Sequence, residues 1–452
     1  MTPAQAVHLE ARRGQGPPPH KAQLHYHRGE QWTARIQYGE EIIDTVLDTS
    51  VWDVLVFGAN CTRGGGCGPG NLTHMYNETH NRGLHEHFEH PGIHREHRDM
   101  FDSGECKAFE AEDLVMIPYE PPSWMPLASM QQEIWIAQEC NVPTFKEAVF
   151  GAIMGIAPPQ GLSKALKNSV LDGMKLSRFT MCWGHSPHAH GYVIWNDISR
   201  VAEQNSFFVP TEGDGRRWHF QVDKIALGNS KNRGMIVDCH HGCQASVDSA
   251  SPLIVASKRL YYTIQDHIDR VQPELAQDLL ECKDLSRLPT IILRVPEGVM
   301  RLPPRSYIAN VTGTSLPDVE NYLPHERKGC QIMLLRLEEE THEEDVLEYP
   351  KPGPDIILGV PFMKEFFTTF EWAGNHNVPF FTFFKATPIC EADRNQHANW
   401  RREAEGQHVA DEHLPMQVDL SKLQLPRSLQ ARLYRRKRKD AEAAAVRSKS
   451  AI

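Results

Sequence analysis

The stretch TVLDTSVWDVLVFGANC, Thr45 to Cys61, reads as a strand that ends in an aspartate, a hydroxyl-bearing residue and a small residue, followed by a second strand. Taken alone, Asp-Thr-Ser is typical of a turn, because short polar side chains hydrogen-bond the nearby backbone. A second stretch, CQASVDSASPLIVAS, Cys243 to Ser257, repeats the same order of residue types around Asp248. The repetition indicates that Asp48 is more than a turn residue.

Each aspartate is followed, at nearly the same separation along the chain, by two apolar residues and a glycine. These segments are Ile153-Met154-Gly155 and Ile357-Leu358-Gly359. A unit repeated at this length indicates a duplicated β-lobe, and each copy offers one carboxylate. Two similar lobes can bring their carboxylates together across a pseudo-twofold axis. The sequence therefore predicts a single site built from Asp48 and Asp248.

The rest of the chain predicts a mainly β fold. Short apolar or alternating runs, separated by Gly, Pro and Asn, fill the chain from residue 31 to about residue 395. Helical patterns are few, and they lie around Ser163–Asp172, around Tyr261–Arg270 and at FMKEFFTTF near Phe362. We expect a flexible extension over residues 1–30, an N-terminal lobe over 31–205, a C-terminal lobe over 206–395 and a charged, basic tail over 396–452.

The composition is typical of a soluble globular protein, with 452 residues, 40% hydrophobic residues, 23% charged residues and a formal net charge of −10. At about 150 residues per domain, the chain is long enough for two domains with cores of their own. No apolar run reaches the roughly 18 residues of a membrane-spanning helix, so none is expected. The run RRKRK at Arg435–Lys439 lacks interleaved aromatic residues. This favours a solvated helix face or a processing site over a nucleic-acid patch, and no nucleic-acid partner is expected.

Cysteines and glycosylation sequons point to an oxidising compartment. The chain has ten cysteines, and Cys61 with Cys67 and Cys239 with Cys243 lack the spacing of a zinc or redox motif. The N-x-Ser/Thr sequons lie at Asn60, Asn71, Asn77 and Asn310. We therefore expect the secretory pathway, with the protein extracellular or in an acidic vacuole or lysosome-like compartment. No signal-peptide pattern is visible, which leaves an incomplete N-terminus or an unusual route open.

A histidine-rich segment follows the first cysteine loop. Its seven histidines are His74, His80, His85, His87, His90, His94 and His97. Because imidazole is the commonest metal ligand, His85, His87 and His90 could share one cation. No Cys or Asp accompanies them at a zinc-site spacing, and Gly and Pro interrupt the run. The pattern favours a polar surface loop, and no metal site is expected.

The repeat and its cysteines resemble the pepsin-like aspartic proteases over roughly residues 32–390. The loop from Cys61 to Cys67 follows the first motif at that family's spacing, and MIVDCHHGCQASVDSAS is similar to its short cysteine loop before the second aspartate. The resemblance implies a bilobal, mainly β fold with a cleft between two barrel-like lobes. It also implies the disulfides Cys61–Cys67, Cys239–Cys243 and Cys282–Cys330. The other cysteines, Cys106, Cys140, Cys182 and Cys390, allow three pairings.

In that family each lobe supplies an Asp-Thr/Ser-Gly loop, and the two aspartates act together. The resemblance implies that Asp48 and Asp248 are catalytic. It also implies that the hydroxyls of Thr49 and Ser249 bond to the opposite lobe and lock the two loops. The implied activity is hydrolysis of peptide bonds in polypeptides, through a water activated by the two aspartates. No cofactor is implied, and a monomer is expected.

The motifs also depart from the family pattern. Ser50 and Ala250 replace both motif glycines, and each adds a side chain where the family packs closely. Val51 stands where the family usually carries a serine that bonds the first aspartate, while Ser251 keeps the corresponding hydroxyl for the second. We therefore expect Asp48 to lack a hydroxyl donor that Asp248 retains.

The substrate-covering hairpin of the family carries a tyrosine before a Gly-rich tip, and the best match is Tyr119 in MIPYEPPSWM. The two prolines of its Glu-Pro-Pro tip lack the N–H that the tip would offer a substrate, and they stiffen the turn. The alternative to an enzyme is thus a catalytically impaired protein that binds extended peptides, disabled by Ser50, Ala250, Val51 and this tip. The presence of both aspartates, each followed by a hydroxyl, favours the enzyme.

Overall fold

In the computed structural model of the chain, the described residues are 19–27, 31–61, 66–68, 75–86, 88–90, 93–94, 96–101, 104–118, 126–142, 145, 148–159, 169–184, 191–197, 206–212, 215, 217–228, 234–271, 285–286, 288–315, 329–337, 355–372, 378–386 and 416–423.

The described chain consists mainly of β-strands, which confirms the predicted fold class. The strands are β1 (His20–His27), β2 (Gln31–Tyr38), β3 (Glu41–Asp48), β4 (Val54–Phe57), β5 (His85–Glu86), β6 (Phe88–His90), β7 (Ile93–His94), β8 (Glu96–Phe101), β9 (Gly104–Pro118), β10 (Pro126–Cys140), β11 (Ala152–Gly155), β12 (Arg178–Cys182), β13 (Gly191–Trp195), β14 (Phe207–Pro210), β15 (His219–Val222), β16 (Lys224–Gly228), β17 (Met235–Asp238), β18 (Cys243–Val247), β19 (Ile254–Ser257), β20 (Thr290–Val295), β21 (Gly298–Leu302), β22 (Ile308–Thr312), β23 (Gly329–Ile332), β24 (Leu334–Leu337), β25 (Ile356–Leu358), β26 (Phe366–Glu371), β27 (Phe380–Lys385) and β28 (Met416–Asp419).

Helices are short or isolated. They are α1 (Val170–Gly173), α2 (Lys258–Val271), α3 (Val360–Glu365) and the 3-10 helices Pro304–Ser306 and Leu420–Lys422. The predicted helix around Ser163–Asp172 overlaps α1, although its first residues lie outside the described chain. Among the described residues, no helix is both long and apolar enough to cross a membrane.

Helix α2 confirms the pattern around Tyr261–Arg270. Leu260, Ile264 and Ile268 recur at helical spacing and are all buried. The hydroxyl of Ser257 accepts a hydrogen bond from the Leu260 N–H at 3.2 Å and so satisfies one free donor at the helix start.

The helix predicted at FMKEFFTTF ends at Glu365, and the prediction is wrong beyond it. Phe366 begins β26, which pairs with β12 on one side and β27 on the other. Every residue of β26 is buried, since both faces of this strand are covered. A strand buried on both faces shows a continuous apolar run, which periodicity alone does not separate from a buried helix.

The largest sheet runs in the order β14-β27-β26-β12-β13-β1-β2-β3-β11-β4-β10-β9-β5, and β8 also pairs with β9. An additional pairing of β2 with β9 closes β2, β3, β11, β4, β10 and β9 into a six-stranded barrel. The later strands form sheets in the orders β15-β18-β25-β19-β24, β17-β16-β20-β21 and β23-β22-β28. This is the bilobal, mainly β architecture that the sequence predicts, with β26 and β27 joining the sheet of the first half.

The strand pairing explains the sequence repeat. Strand β11 is parallel to β3 and antiparallel to β4, and its Gly155 lies opposite Asp48. Strand β25 is likewise parallel to β18 and antiparallel to β19, and its Leu358 lies opposite Val247. Each apolar-apolar-Gly segment is therefore the middle strand between the two strands that flank an aspartate.

Trp218 connects the two repeats through the buried core. Its ring Nε1 donates to the carbonyl oxygen of Ile156 at 3.0 Å, next to Gly155, and its own carbonyl oxygen accepts from the Val247 N–H at 3.1 Å. The indole also packs edge-on against Phe370, with ring centroids 5.0 Å apart. An aromatic pair of this kind contributes about 0.5–1.5 kcal/mol beyond the area that it buries. Trp218 thus fixes the segments behind both aspartates relative to each other.

Two expectations about the chain ends are wrong in part. Residues 1–30 were predicted to form a flexible extension, but His20–His27 form β1, which pairs with β13 and β2 and buries Leu24. Residues 396–452 were predicted to form a charged tail, but Met416–Asp419 form β28 beside β22, and Val418 is buried. Neither strand could be recognised in the sequence, because each is short, has few apolar residues and lies in a charge-rich part of the chain.

The structure contains the Cys61–Cys67 and Cys239–Cys243 disulfides that the resemblance implies. A further disulfide joins Cys106 to Cys140, whose residues lie opposite each other on β9 and β10. This decides one of the pairings that the sequence left open. Cys330 is also disulfide-bonded, while Cys282 lies outside the described residues.

Peptide mapping without reduction is expected to recover these three disulfides and Cys282–Cys330. Loss of Cys106–Cys140 should destabilise the fold by about 2 kcal/mol more than loss of Cys239–Cys243, because the entropic gain of a disulfide grows with the logarithm of loop length. The two loops span sequence separations of 34 and 4 residues. Paired Cys→Ser variants and urea unfolding measure the difference. Free thiols at all eight positions, in protein made through a secretory route, would remove the argument for an oxidising compartment.

Candidate active site

The two aspartates emerge from corresponding strands in the two repeats. Asp48 is the last residue of β3, and Asp248 directly follows β18. Each of these strands lies between two others, so each aspartate leaves the interior of a sheet. Their relative exposures are 2% and 1%. Burying two carboxylates that both carry charge is costly, so this arrangement favours a pair that holds a proton.

Thr49 and Ser249 hydrogen-bond across the two repeats in a reciprocal way. The Thr49 hydroxyl donates to the carbonyl oxygen of Val247 at 2.9 Å and accepts from the Ser249 N–H at 3.0 Å. The Ser249 hydroxyl donates to the carbonyl oxygen of Leu47 and accepts from the Thr49 N–H at 3.1 Å. All four bonds are buried and join residues about 200 positions apart in sequence. They hold the two aspartate loops in one fixed geometry, as the resemblance implies.

Ser50 provides two hydrogen-bond donors to Asp48. The Ser50 N–H donates to Oδ1 of Asp48 at 2.7 Å, and the Ser50 hydroxyl donates to the same oxygen at 2.6 Å. The expectation that Asp48 lacks a hydroxyl donor is therefore wrong. The residue that replaces the motif glycine provides it, one position before Val51.

Within the part of the chain that the structure describes, the Asp248 carboxyl is held by backbone N–H groups only. The Ala250 N–H donates to its Oδ1 at 3.0 Å. The Ser251 hydroxyl donates to the carbonyl oxygen of Leu253 at 2.8 Å, so the expectation that it serves Asp248 is wrong. The Oδ2 atom of Asp248 is buried and has no hydrogen-bond partner among the described residues. An unpaired buried oxygen of this kind is costly unless a bound group or water satisfies it.

The two carboxyl groups influence each other's ionisation. Burial raises the pKa of Asp248 well above its ordinary value, and the charge of Asp48 raises it further. Backbone hydrogen bonds from Ala250 and Ser251 oppose this rise without cancelling it. The pair therefore retains a proton at a pH where an isolated aspartate would already be ionised.

Gly155 and Gly359 stand where the chain passes closest to the aspartate loops. A Cβ at Gly155 would lie 2.5 Å from the carbonyl carbon of Trp52 and 2.6 Å from the carbonyl oxygen of Val51. A Cβ at Gly359 would lie 2.2 Å from the carbonyl oxygen of Leu253. These two glycines have no room for a side chain, so the sequence repeat includes them for steric reasons.

The replaced motif glycines are different. Neither Ser50 nor Ala250 has the positive φ that favours glycine, and both side chains are half-buried rather than enclosed. The backbone therefore accepts a Cβ at each position without strain. The replacements leave the N–H groups of both residues bonded to the aspartates.

The predicted flap tyrosine and part of the histidine-rich segment fall outside the described residues. Tyr119 and the tip of its hairpin lie outside them, between the ends of β9 and β10. His85 is exposed, and the side chains of His87 and His90 lie outside the described part. Sulfur atoms of Cys61, Cys67 and Cys140 lie within 4.8 Å of one another, but all three belong to disulfides and offer no thiolate to a metal.

Comparisons with known proteins agree with this geometry. The model of the eukaryotic aspartyl protease family matches residues 126–380, which include Asp248 and follow Asp48. Gastricsin of Suncus murinus is 23% identical over 259 residues, which are 56% of this chain and 59% of that protein. Pepsin A of Canis lupus familiaris is 24% identical over 235 residues, 50% of this chain and 53% of that protein. Chymosin of Ovis aries is 21% identical over 266 residues, 58% of this chain and 61% of that protein.

The matched part of the chain thus spans between 53% and 61% of the length of these relatives. The family match covers more than half of the chain and includes the second aspartate loop. The first loop lies before the match and reproduces the second in its strand order and its hydrogen bonds. The chain belongs to the eukaryotic aspartyl protease family.

Proposed function

We propose that the chain is an aspartic endopeptidase, in which Asp48 and Asp248 together activate a water for attack on a peptide bond. The observation that carries this proposal is the reciprocal bonding of Thr49 and Ser249, which holds the two buried carboxyl groups together. A protein that only binds peptides has no need for two buried, mutually repelling acids. Keeping them costs stability, and a catalytic pair that shares one proton accounts for their burial side by side.

The chemistry follows from the shared proton. Like charges at close range do not both ionise readily, so the pair holds one proton over a range of pH. The ionised carboxylate accepts a proton from the attacking water, as general base. The protonated carboxyl donates a hydrogen bond and then its proton to the carbonyl oxygen of the substrate, as general acid. The C–N bond then breaks as the proton taken from the water passes to the leaving amine nitrogen, and the acid regains its proton from a hydroxyl of the tetrahedral intermediate, which restores the pair.

The hydrogen bonds favour one distribution of roles. Two donors from Ser50 converge on Asp48, and a donor to the charged form stabilises that form. Burial and the neighbouring charge raise the pKa of Asp248, which favours its protonated form. We assign Asp48 as the base and Asp248 as the acid in the resting enzyme, although the pair titrates as a unit.

The raised pKa of Asp248 has consequences for pH dependence. Activity should extend above the pH at which an ordinary aspartate loses its proton, and it should fall when the pair loses its shared proton. The free energy of unfolding should also decrease as pH rises, because the folded state holds a proton that the unfolded state releases. The contribution of Asp248 is fully present below its unfolded pKa and is lost as pH rises through its folded pKa.

Further properties belong to the same proposal. The substrates are polypeptides in extended form, the enzyme acts as a monomer without a cofactor, and it works in an oxidising compartment of the secretory pathway. The lobes divide near residues 205 and 206, with β1, β26 and β27 in the sheet between them. The disulfides and the acid pair support this setting, since both are suited to an oxidising and acidic environment.

The test is digestion of a denatured protein by the purified full chain at acid pH, with and without a transition-state-mimicking inhibitor of aspartic proteases. The proposal expects cleavage that the inhibitor abolishes, and new peptide ends identified by mass spectrometry. Cleavage that persists with the inhibitor would indicate a contaminating protease and would contradict the proposal. Binding of an extended peptide that stays intact over the acid range would favour the impaired binder instead.

A further inference from the structure

We propose that Ser50 is a positioning residue of the aspartate pair, whose side-chain hydroxyl holds Oδ1 of Asp48 in place of the hydroxyl that Val51 lacks. The inference rests on the proposed function, because it concerns how the pair is held for catalysis. Judged by the family motif alone, the replacement of glycine by Ser50 is a change that would disable the site.

The geometry is direct. The Ser50 hydroxyl lies 2.6 Å from Oδ1 of Asp48, and the Ser50 N–H lies 2.7 Å from the same oxygen. Both distances suit strong hydrogen bonds to a carboxylate. A glycine at position 50 would keep the N–H bond and lose the hydroxyl bond. The half-buried side chain of Ser50 makes its contact without the strain of a positive φ.

The second repeat does not have this bond. Ala250, at the position equivalent to Ser50, has no hydroxyl and donates only its N–H to Asp248, at 3.0 Å. The nearby Ser251 hydroxyl bonds the carbonyl oxygen of Leu253 instead. Among the described residues, Asp48 therefore receives a hydrogen bond from a hydroxyl of its own loop, and Asp248 receives none from a hydroxyl of its loop. This asymmetry distinguishes two carboxyl groups that the repeat would otherwise treat alike.

The same local arrangement occurs outside the site, which provides a matched control. Ser421 donates its N–H at 3.1 Å and its hydroxyl at 2.6 Å to Oδ1 of Asp419, two residues earlier. The pattern of an aspartate followed two residues later by a serine is thus a local turn feature in itself. What differs at Ser50 is that its acceptor is one member of the buried pair. A role in the pair must therefore appear in the pH profile and not only in stability.

The experiment compares kcat/KM against pH for the wild type and the variants Ser50→Ala, Ser50→Thr and Ser421→Ala. Loss of a donor to the charged form should move the acid limb to higher pH by about 1 unit in Ser50→Ala. Ser50→Thr keeps a hydroxyl and should restore the wild-type limb, and Ser421→Ala should leave the limb in place. The double variant Ser50→Gly with Val51→Ser, which moves the hydroxyl to the position that the family uses, should also restore it.

An acid limb that stays in place in a folded Ser50→Ala variant would overturn the inference. A uniform loss of activity at every pH would also overturn it, since that result indicates a structural role alone. Thermal unfolding of each variant establishes that the fold is retained.

A second measurement does not depend on turnover. Infrared titration of the carboxyl groups should place the first ionisation of the pair at higher pH in Ser50→Ala than in the wild type or in Ser421→Ala. If the wild type cleaves nothing, the proposed function fails, yet this titration still decides whether Ser50 holds Asp48. An unshifted first ionisation would reject the role of Ser50 whether or not the chain cleaves peptides.

Discussion

Replacing either Asp48 or Asp248 by asparagine is expected to abolish peptide hydrolysis while the fold survives. Each single change leaves one ionisable carboxyl, so no proton can be shared and either the base or the acid is missing. General acid or base catalysis alone contributes about 10²–10⁴ in rate, and the loss should be at least of that size. Initial rates at acid pH on a fluorogenic peptide, with mass-spectrometric detection of products, measure it.

The stability of the same variants separates a catalytic loss from a folding defect. Asp248→Asn removes the group whose pKa is raised by burial and by Asp48, and asparagine does not titrate. The unfolding midpoint of this variant should therefore fall less steeply with rising pH than that of the wild type. Near-wild-type turnover in either asparagine variant would show that the mechanism does not use two aspartates. Ser421→Ala, which lies outside the site, serves as the reference for expression and folding.

The variant Gly359→Ala is expected to destabilise the second lobe strongly. The new Cβ would lie 2.2 Å from the carbonyl oxygen of Leu253 and 2.4 Å from that of Ser251. Both contacts are to backbone, which moves only by displacing the Asp248 loop. The Val360 N–H also donates to the Ser251 carbonyl oxygen at 2.9 Å, and a shift would strain that bond. Overpacking typically costs about 1–3 kcal/mol, and a contact with backbone this short should lie at the upper end.

Gly83→Ala is the matched control for this variant. Its Cβ would meet only Oδ1 of Asp113, at 3.3 Å, and a side-chain oxygen can give by a few tenths of an ångström. Urea unfolding should show a large loss of stability for Gly359→Ala and a small change for Gly83→Ala. Equal unfolding midpoints for the two variants would contradict the claim that Gly359 is required by the close approach of the aspartate loop.

The duplicated aspartate motif could be read from the sequence, because each copy is local and made of residue types with few alternatives. The pairing of neighbouring strands follows from two local signals. One is a strand that ends in Asp-Thr-Ser or Asp-Ser-Ala, and the other is a later apolar pair before Gly155 or Gly359. The mainly β class, helix α2 and the short disulfide loops follow for the same reason, since each depends on residues close in sequence. The match to the aspartyl protease family over residues 126–380 rests on the same kind of information, since it includes the second aspartate motif.

Other features could not be predicted, because they depend on contacts between distant parts of the chain. Strand β1 is identified only by its partners β13 and β2, and β28 only by β22, more than 100 residues earlier. The disulfide between Cys106 and Cys140 required the register of β9 against β10. The sequence of β26 fits the continuation of a helix, and its pairing with β12 and β27 within one sheet identifies it as a strand.

The chemistry of the pair divides in the same way. The sequence identified Asp48 and Asp248 as a pair, the hydroxyl residues Thr49 and Ser249 that follow them, and the replacement of both motif glycines. The three-dimensional structure was needed to show that Ser50, and not position 51, provides a hydroxyl donor to Asp48, and that the Ser251 hydroxyl donates to the carbonyl oxygen of Leu253. The reason is geometric: a hydroxyl on a turn can reach several acceptors within hydrogen-bonding distance. The opposite lobe, through bonds between residues 200 positions apart, fixes the backbone that selects among them.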